Sequence, residues 1–295
     1  MMRFFGFVIC LLSPLIALSQ TPVEVKAEGL TGRLLRYESF SSQYVDPRNV
    51  DVWFPADYNP KKKYAVLYMH DGQNLFIPAL SYTKIDWGVD EALTKLMRNK
   101  EVRRTIVVGI WNTAKRVPEY MPQKALKYAT REQLEKAPAG LMESAASDNY
   151  LRFIVEELKP LIDKTYKTKT GRKETFIMGS SMGGLISCYA ISEYPSVFGG
   201  AGCISTHFPA GDGIVIDYFA ENLPKPGKNR FYFDYGTETL DAQYEPYQTR
   251  MDEVMRNKGF RNGKDWITRK FEGADHSEKS WKARIDIPLV FLLGK

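Results

Sequence analysis

The chain alternates short, nearly uninterrupted apolar runs with longer stretches in which apolar residues recur every three or four positions. YAVLYMH (64–70) and TIVVGIW (105–111) are almost wholly apolar, the pattern of strands buried on both faces. Between them, WGVDEALTKLMRNK (87–100) places Val89, Leu93, Leu96 and Met97 at helical spacing. The same rhythm predicts early strands at LLRYESF and NVDVWFP, with Asp46 and Pro47 marking the turn between them. It continues with a helix over YLRFIVEELKPLIDKTY (150–166) and strands at FIMG, FGGAGCIS, RFYFDYG and WITRKFEG. A final helix is expected across SEKSWKARIDIPLVFLLG (277–294), kinked or interrupted at Pro288. Strands alternating with crossover helices predict an α/β protein: a mostly parallel central sheet with helices on both faces.

Two stretches depart from that rhythm. Residues 1–19 carry one charge, Arg3, then an apolar run to Leu18 and small residues at Ala17 and Ser19. The run is short for a membrane span and has the layout of a cleavable secretory signal peptide, so a secreted or periplasmic protein without stable membrane insertion is expected. The second stretch is Ala114 to Ser144, long, charged and punctuated by prolines. A connection of that length is functional or mobile more often than incidental, and it predicts either a cap inserted over a site or a surface excursion. With no repeat and no low-complexity linker, residues 20–295 read as one domain.

Composition adds exclusions. The formal net charge of +6 falls by one if Arg3 is removed with the leader, and lysines and arginines are interleaved with acids along the chain. No basic stripe emerges, so nucleic acid is not an expected partner. Of three cysteines only Cys188 and Cys203 lie beyond the leader, in apolar contexts. A disulfide between them stays open; a disulfide scaffold does not. Three histidines, none paired at ligand spacing, give no support for a metal site. Nothing in the sequence sets an oligomeric state.

The chemistry concentrates at ETFIMGSSMGGLISCYA (174–190), where Gly179-Ser180-Ser181-Met182-Gly183 fits G-x-S-x-G between a strand and a helix. Such a joint turns sharply and exposes Ser181 at a helix N-terminus, whose partial positive charge favours a developing oxyanion. The flanking glycines are expected because side chains there would collide with the turning backbone. A serine hydroxyl needs a base. In this architecture the order is serine, acid, histidine. His70 precedes Ser181, and His207 follows it with only Glu193 between, on the nucleophile's own helix. His276, in a loop after a late strand, fits. The acid belongs on the loop after RFYFDYG, which offers Asp241 and Glu238, the first with the commoner side chain and the second nearer the strand end. Whichever is not used would cap the helix that follows. For the oxyanion, the N–H of Met182 follows the nucleophile, and the N–H of Gln73 follows Gly72 in the loop HDGQNLF.

With the elbow, HDGQNLF and GADHSEKSW in place, the chain resembles the putative-esterase family of α/β-hydrolases from about Leu30 to its end. That group includes feruloyl and acetyl-xylan esterases, enterobactin-type esterases, S-formylglutathione hydrolase and mycolyltransferases. The resemblance takes in DWGVDEAL and VVGIWNTAKRVPEY and implies that Trp87 and Arg116 line the substrate cleft. It implies two-step acyl transfer with no cofactor, acting on a small-molecule or carbohydrate ester. Transfer to a sugar acceptor, and a non-catalytic carbohydrate-binding module on the same fold, are the alternatives; the leader disfavours the cytosolic thioester reaction.

Overall fold

The computed structural model describes residues 21–136 and 144–294; the expected signal peptide and the middle of the 114–144 segment lie outside the described residues. Among the described residues nine strands form one sheet: β1 (Val23–Val25), β2 (Arg33–Phe40), β3 (Arg48–Phe54), β4 (Ala65–His70), β5 (Thr105–Ile110), β6 (Thr175–Ser180), β7 (Gly200–Ile204), β8 (Arg230–Gly236) and β9 (Trp266–Phe271). Their order across the sheet is β1-β2-β3-β5-β4-β6-β7-β8-β9. The β1–β2, β2–β3 and β3–β5 pairs are antiparallel, and every pair from β5 to β9 is parallel. The mostly parallel α/β sheet expected from the apolar runs is therefore present.

The unbroken apolar character of β4 has a simple cause. Val66 and Tyr68 face one core layer, and Ala65, Leu67 and Met69 face the other. The first layer is covered by the helical run 147–165 and by the helices Met182–Glu193, Ile214–Asn222 and Glu245–Asn257. The second is covered by Val89–Arg98, Glu278–Arg284 and Asp286–Leu293. Helix Met182–Glu193 buries every residue from Met182 to Ile191, so it has no polar stripe to betray its period. At the end of the chain the expected single helix is two, broken at Ile285. Pro288 lies in the first turn of the second, where a missing N–H costs no intrahelical bond. Strand β1, only three residues long, and helix Ile214–Asn222 were not legible in the pattern.

The 114–144 segment, expected to be a cap or a surface excursion, is described only at its two ends. Its described residues fold as the helices Arg116–Tyr120 and Arg131–Lys136, with a 3-10 turn at Gln123–Tyr128 between them. They pack beside the helices Met182–Glu193 and Ile214–Asn222. Glu119 is tied down by two bonds from Arg48, at 2.6 and 2.8 Å, in a fully buried ion pair. Among the described residues of this segment only Arg116 reaches the cleft, so they form its flank. No helix among the described residues is long and apolar enough to cross a membrane.

His70 ends β4 in full burial, its Nδ1 2.8 Å from the Tyr150 hydroxyl and its Nε2 without a partner. Burial lowers its pKa to about 3. The native ring is neutral, whereas the unfolded chain binds a proton below about pH 6.5. Between those values the unfolded state binds more protons, so stability falls as pH falls, by about 1.4 kcal/mol per unit. Urea unfolding from pH 7 to pH 5 should show that loss in the wild type and a shallower one in His70→Gln. Equal slopes would refute a neutral buried ring.

Candidate active site

The polar residues gather at the carboxyl ends of the parallel strands, the side of an open α/β sheet where ligands bind. Ser181 follows β6 and caps helix Met182–Glu193 with φ 57° and ψ −121°, a conformation that non-glycine residues adopt only under constraint. The constraint is visible. The Ser181 N–H donates to the Ile204 carbonyl of β7 at 2.9 Å, and its own carbonyl accepts from the N–H groups of Gly184 and His207. The steric demand for glycine sits at Gly179, where a Cβ would lie 2.9 Å from the Gly183 carbonyl group. Gly183 has ordinary room, 3.5 Å from its nearest side-chain neighbours. The first flanking glycine is thus required by collision, as expected, and the second serves as the surface it packs on.

Asp241 lies in the 3-10 turn Thr239–Gln243 after β8, and His276 in the loop after β9. The imidazole Nδ1 is 2.5 Å from Asp241 Oδ1. The other carboxylate oxygen accepts from the Gly236 N–H at 2.7 Å and from the Ser205 hydroxyl at 2.6 Å. Burial alone would raise the Asp241 pKa; the bonds from His276, Ser205 and Gly236 outweigh it and hold the carboxyl below its usual range. Glu238 is exposed at the start of the same turn and makes no side-chain cap, so of the two acids considered only Asp241 meets the imidazole, and the capping role expected of the other is absent. Two aromatic rings wall the imidazole edge-on, Trp281 at 5.0 Å and Tyr244 at 5.7 Å between centroids. The Tyr244 hydroxyl in turn meets His207 Nδ1 at 2.7 Å.

Ser181 and His276 open into one cleft of about 460 Å³. Gln73, Asn112, Arg116 and Tyr82 line it, the last 88% exposed at the rim. Gln73 sits in the 3-10 turn Gly72–Asn74, and its Oε1 accepts the Asn112 N–H at 3.2 Å. Met182 begins its helix, where the first N–H groups have no intrahelical acceptor. Arg116 grips Asp71 with two bonds of 2.8 Å, and Asn112 adds a third at 2.6 Å. Burial would raise the Asp71 carboxyl, but the charge and bonds of Arg116 leave it lowered. Trp87 departs from expectation: it is fully buried and packs at a tilt behind Trp281, 5.4 Å between ring centroids, and Trp281 is the ring that faces the cleft.

Sequence reading missed Tyr82, Asn112, Ser205, Tyr244 and Trp281. None was singled out by spacing: Asn112 and Ser205 follow β5 and β7, Tyr82 and Tyr244 lie in the connections after β4 and β8, and Trp281 stands on the helix after β9. Among the described residues one acidic trio, Asp86, Asp90 and Glu91, lies close enough to hold a cation. Lys282 Nζ already stands 2.7 Å from Asp86, so the trio is partly neutralised by the chain itself. Cys188 and Cys203 are free thiols buried side by side, and burial with the neighbouring thiol pushes Cys203 well above its usual pKa.

A serine at a strained strand–helix joint, with an Asp–His pair in the same cleft at the carboxyl edge of this sheet, defines the α/β-hydrolase class. The putative-esterase family model matches residues 41–287, so the chain belongs to that family and is a carboxylic ester hydrolase. It is 25% identical over 268 residues to the uncharacterised protein YbbA of Bacillus subtilis, covering 87% of this chain and 97% of that one. A solved ferulic acid esterase superimposes with a TM-score of 0.64 at 18% identity, covering 90% of this chain and 98% of the other. The enterobactin esterase of Shigella flexneri gives 0.62 at 16%, covering 90% of this chain and 60% of its own.

At Gly72 a Cβ would lie 2.6 Å from the Gly109 carbonyl carbon, whereas at Gly171 it would meet nothing within 4 Å. Gly72→Ala should therefore lower stability by about 1–3 kcal/mol, by forcing the loop off β5. Gly171→Ala should leave stability unchanged or slightly raised. Thermal melts of the two variants check this, and equal melting temperatures would contradict the packing.

Proposed function

We propose that the protein is an exported serine esterase that hydrolyses small carboxylic esters, among them acyl groups carried on carbohydrate. The observation that carries this reading is the Asp241–His276 bond in the cleft that also holds Ser181. Ser181 Oγ attacks the ester carbonyl while His276 Nε2 takes its proton, and Asp241 holds the ring in the tautomer with hydrogen on Nδ1. The N–H groups of Met182 and Gln73 stabilise the oxyanion. The tetrahedral intermediate collapses as His276 returns the proton to the leaving alcohol, leaving an acyl group on Ser181. Water, deprotonated by the same imidazole, then releases the carboxylic acid and restores the serine. No cofactor enters the balance.

Polar side chains and the rings of Tyr82 and Trp281 both line the cleft, which suits an alcohol bearing hydroxyl groups. Structures similar to this one include ferulic acid esterases, one in complex with ferulic acid. Export is proposed from residues 1–19 alone. With p-nitrophenyl acetate, Ser181→Ala should lose about 10³-fold or more in kcat, the remainder coming from the oxyanion donors. Asp241→Asn should be similarly crippled, and Glu238→Gln should stay within about twofold of wild type. Activity in Ser181→Ala equal to wild type would refute the assignment. Protein recovered from periplasm or medium should begin near Gln20, and an N-terminus retaining Arg3 would contradict export by cleavage.

A further inference from the structure

We propose that Ser205 is a positioning residue for the Asp241 carboxylate, its hydroxyl locked in one direction by Arg284 and Trp281. The inference rests on the serine-esterase reading above, in which Asp241 orients the base.

Ser205 follows β7 with φ 38°, a left-handed conformation, and is fully buried. Its hydroxyl oxygen has three polar neighbours: Asp241 Oδ2 at 2.6 Å, Arg284 Nη2 at 2.8 Å and Trp281 Nε1 at 3.1 Å. A serine hydroxyl offers one hydrogen and two lone pairs, and guanidinium and indole N–H groups can only donate. The two donors therefore occupy both lone pairs, and the single hydrogen has only Asp241 left to meet. The arrangement cannot reverse. A proton on Asp241 Oδ2 would face the Ser205 hydrogen with no lone pair to receive it, so that oxygen stays an acceptor and the carboxylate plane is fixed with Oδ1 toward His276.

The lock is itself anchored. Asp234, fully buried on β8, accepts the Ser205 N–H at 3.0 Å and two bonds from Arg284 at 3.1 and 3.2 Å. Tyr232 adds a bond to Asp234 at 2.9 Å. The buried guanidinium is thus matched by a carboxylate and stacks over the Phe271 ring at 4.8 Å. The helix Glu278–Arg284, which supplies both Trp281 and Arg284, is in this way coupled to the acid through one hydroxyl. The other ionisable groups around the Asp241–His276 pair and Ser205 are Tyr244, His207, Arg116, Glu278, Asp275 and the Arg284–Asp234 pair, and of these only Arg284 bonds the Ser205 hydroxyl.

Ser205→Ala removes the hydroxyl, and Ser205→Gly removes it while suiting the left-handed backbone, so the second guards against loss of fold by strain. Losing a hydrogen bond to a charged group should lower kcat by about tenfold to a hundredfold, with KM changed less. With one donor gone the carboxylate attracts the imidazolium proton more strongly. The acid limb of the kcat/KM profile should then move to higher pH by about half a unit or more. The His276 Nδ1–H resonance in NMR should move from its wild-type position as its bond to Asp241 changes, a readout that needs no substrate. Folded variants with kcat within about twofold of wild type and an unmoved acid limb would overturn the proposal, as would failure of both variants to fold. Retained turnover in Ser181→Ala would instead strike the esterase reading, whatever Ser205 does.

Discussion

The hydrogen bond between Asp241 and His276 is the contact on which the site depends, because neither partner is held by its own loop alone. Asp241 would be costly as a lone buried carboxylate. It is stable there because Gly236 and Ser205 donate to one oxygen and the imidazole meets the other. His276 gains an orientation that a loop residue lacks, with its backbone N–H tied to Thr239 Oγ1 at 2.9 Å and Trp281 against its edge. The bond couples the ends of β8 and β9, adjacent parallel strands paired from Phe231↔Trp266 to Gly236↔Phe271. Sheet register thus sets the geometry of a site whose parts are far apart in sequence.

The same logic runs across the sheet. Parallel pairing brings β4, β5, β6, β7, β8 and β9 to one carboxyl edge, and each contributes there. Gln73 follows β4, Asn112 follows β5, Ser181 follows β6, and Ser205 follows β7. Close approach at two glycines makes this convergence compact, Gly179 against the start of the nucleophile's helix and Gly72 against β5. Burial supplies the electrostatics. Buried carboxylates at Asp71 and Asp234 each face an arginine, and that of Asp241 an imidazole, so each has a donor to meet it.

Much of this was legible in the sequence, and the limits have physical causes. Residues that act through local geometry declared themselves: Gly179, Ser181 and the strand–helix context around them. His276 followed from chain order. The choice between Asp241 and Glu238 was not legible, because side-chain length and distance from the strand end pulled opposite ways. The 3-10 turn Thr239–Gln243 turns Asp241 inward, against the imidazole, and leaves Glu238 in solvent. Trp87 was misplaced for a related reason: a tryptophan beside the cleft sequence is equally a core residue, and only packing shows that Trp281 stands in front of it. Ser205 carried no signal at all, since its role comes from three partners between 36 and 79 residues away.

Reaction of the purified protein with a fluorophosphonate, followed by peptide mass mapping, tests most directly whether this geometry activates a serine. The account predicts one covalent adduct, on Ser181, with labelling abolished in His276→Ala. An unlabelled protein, or an adduct elsewhere with Ser181 unmodified, would contradict it.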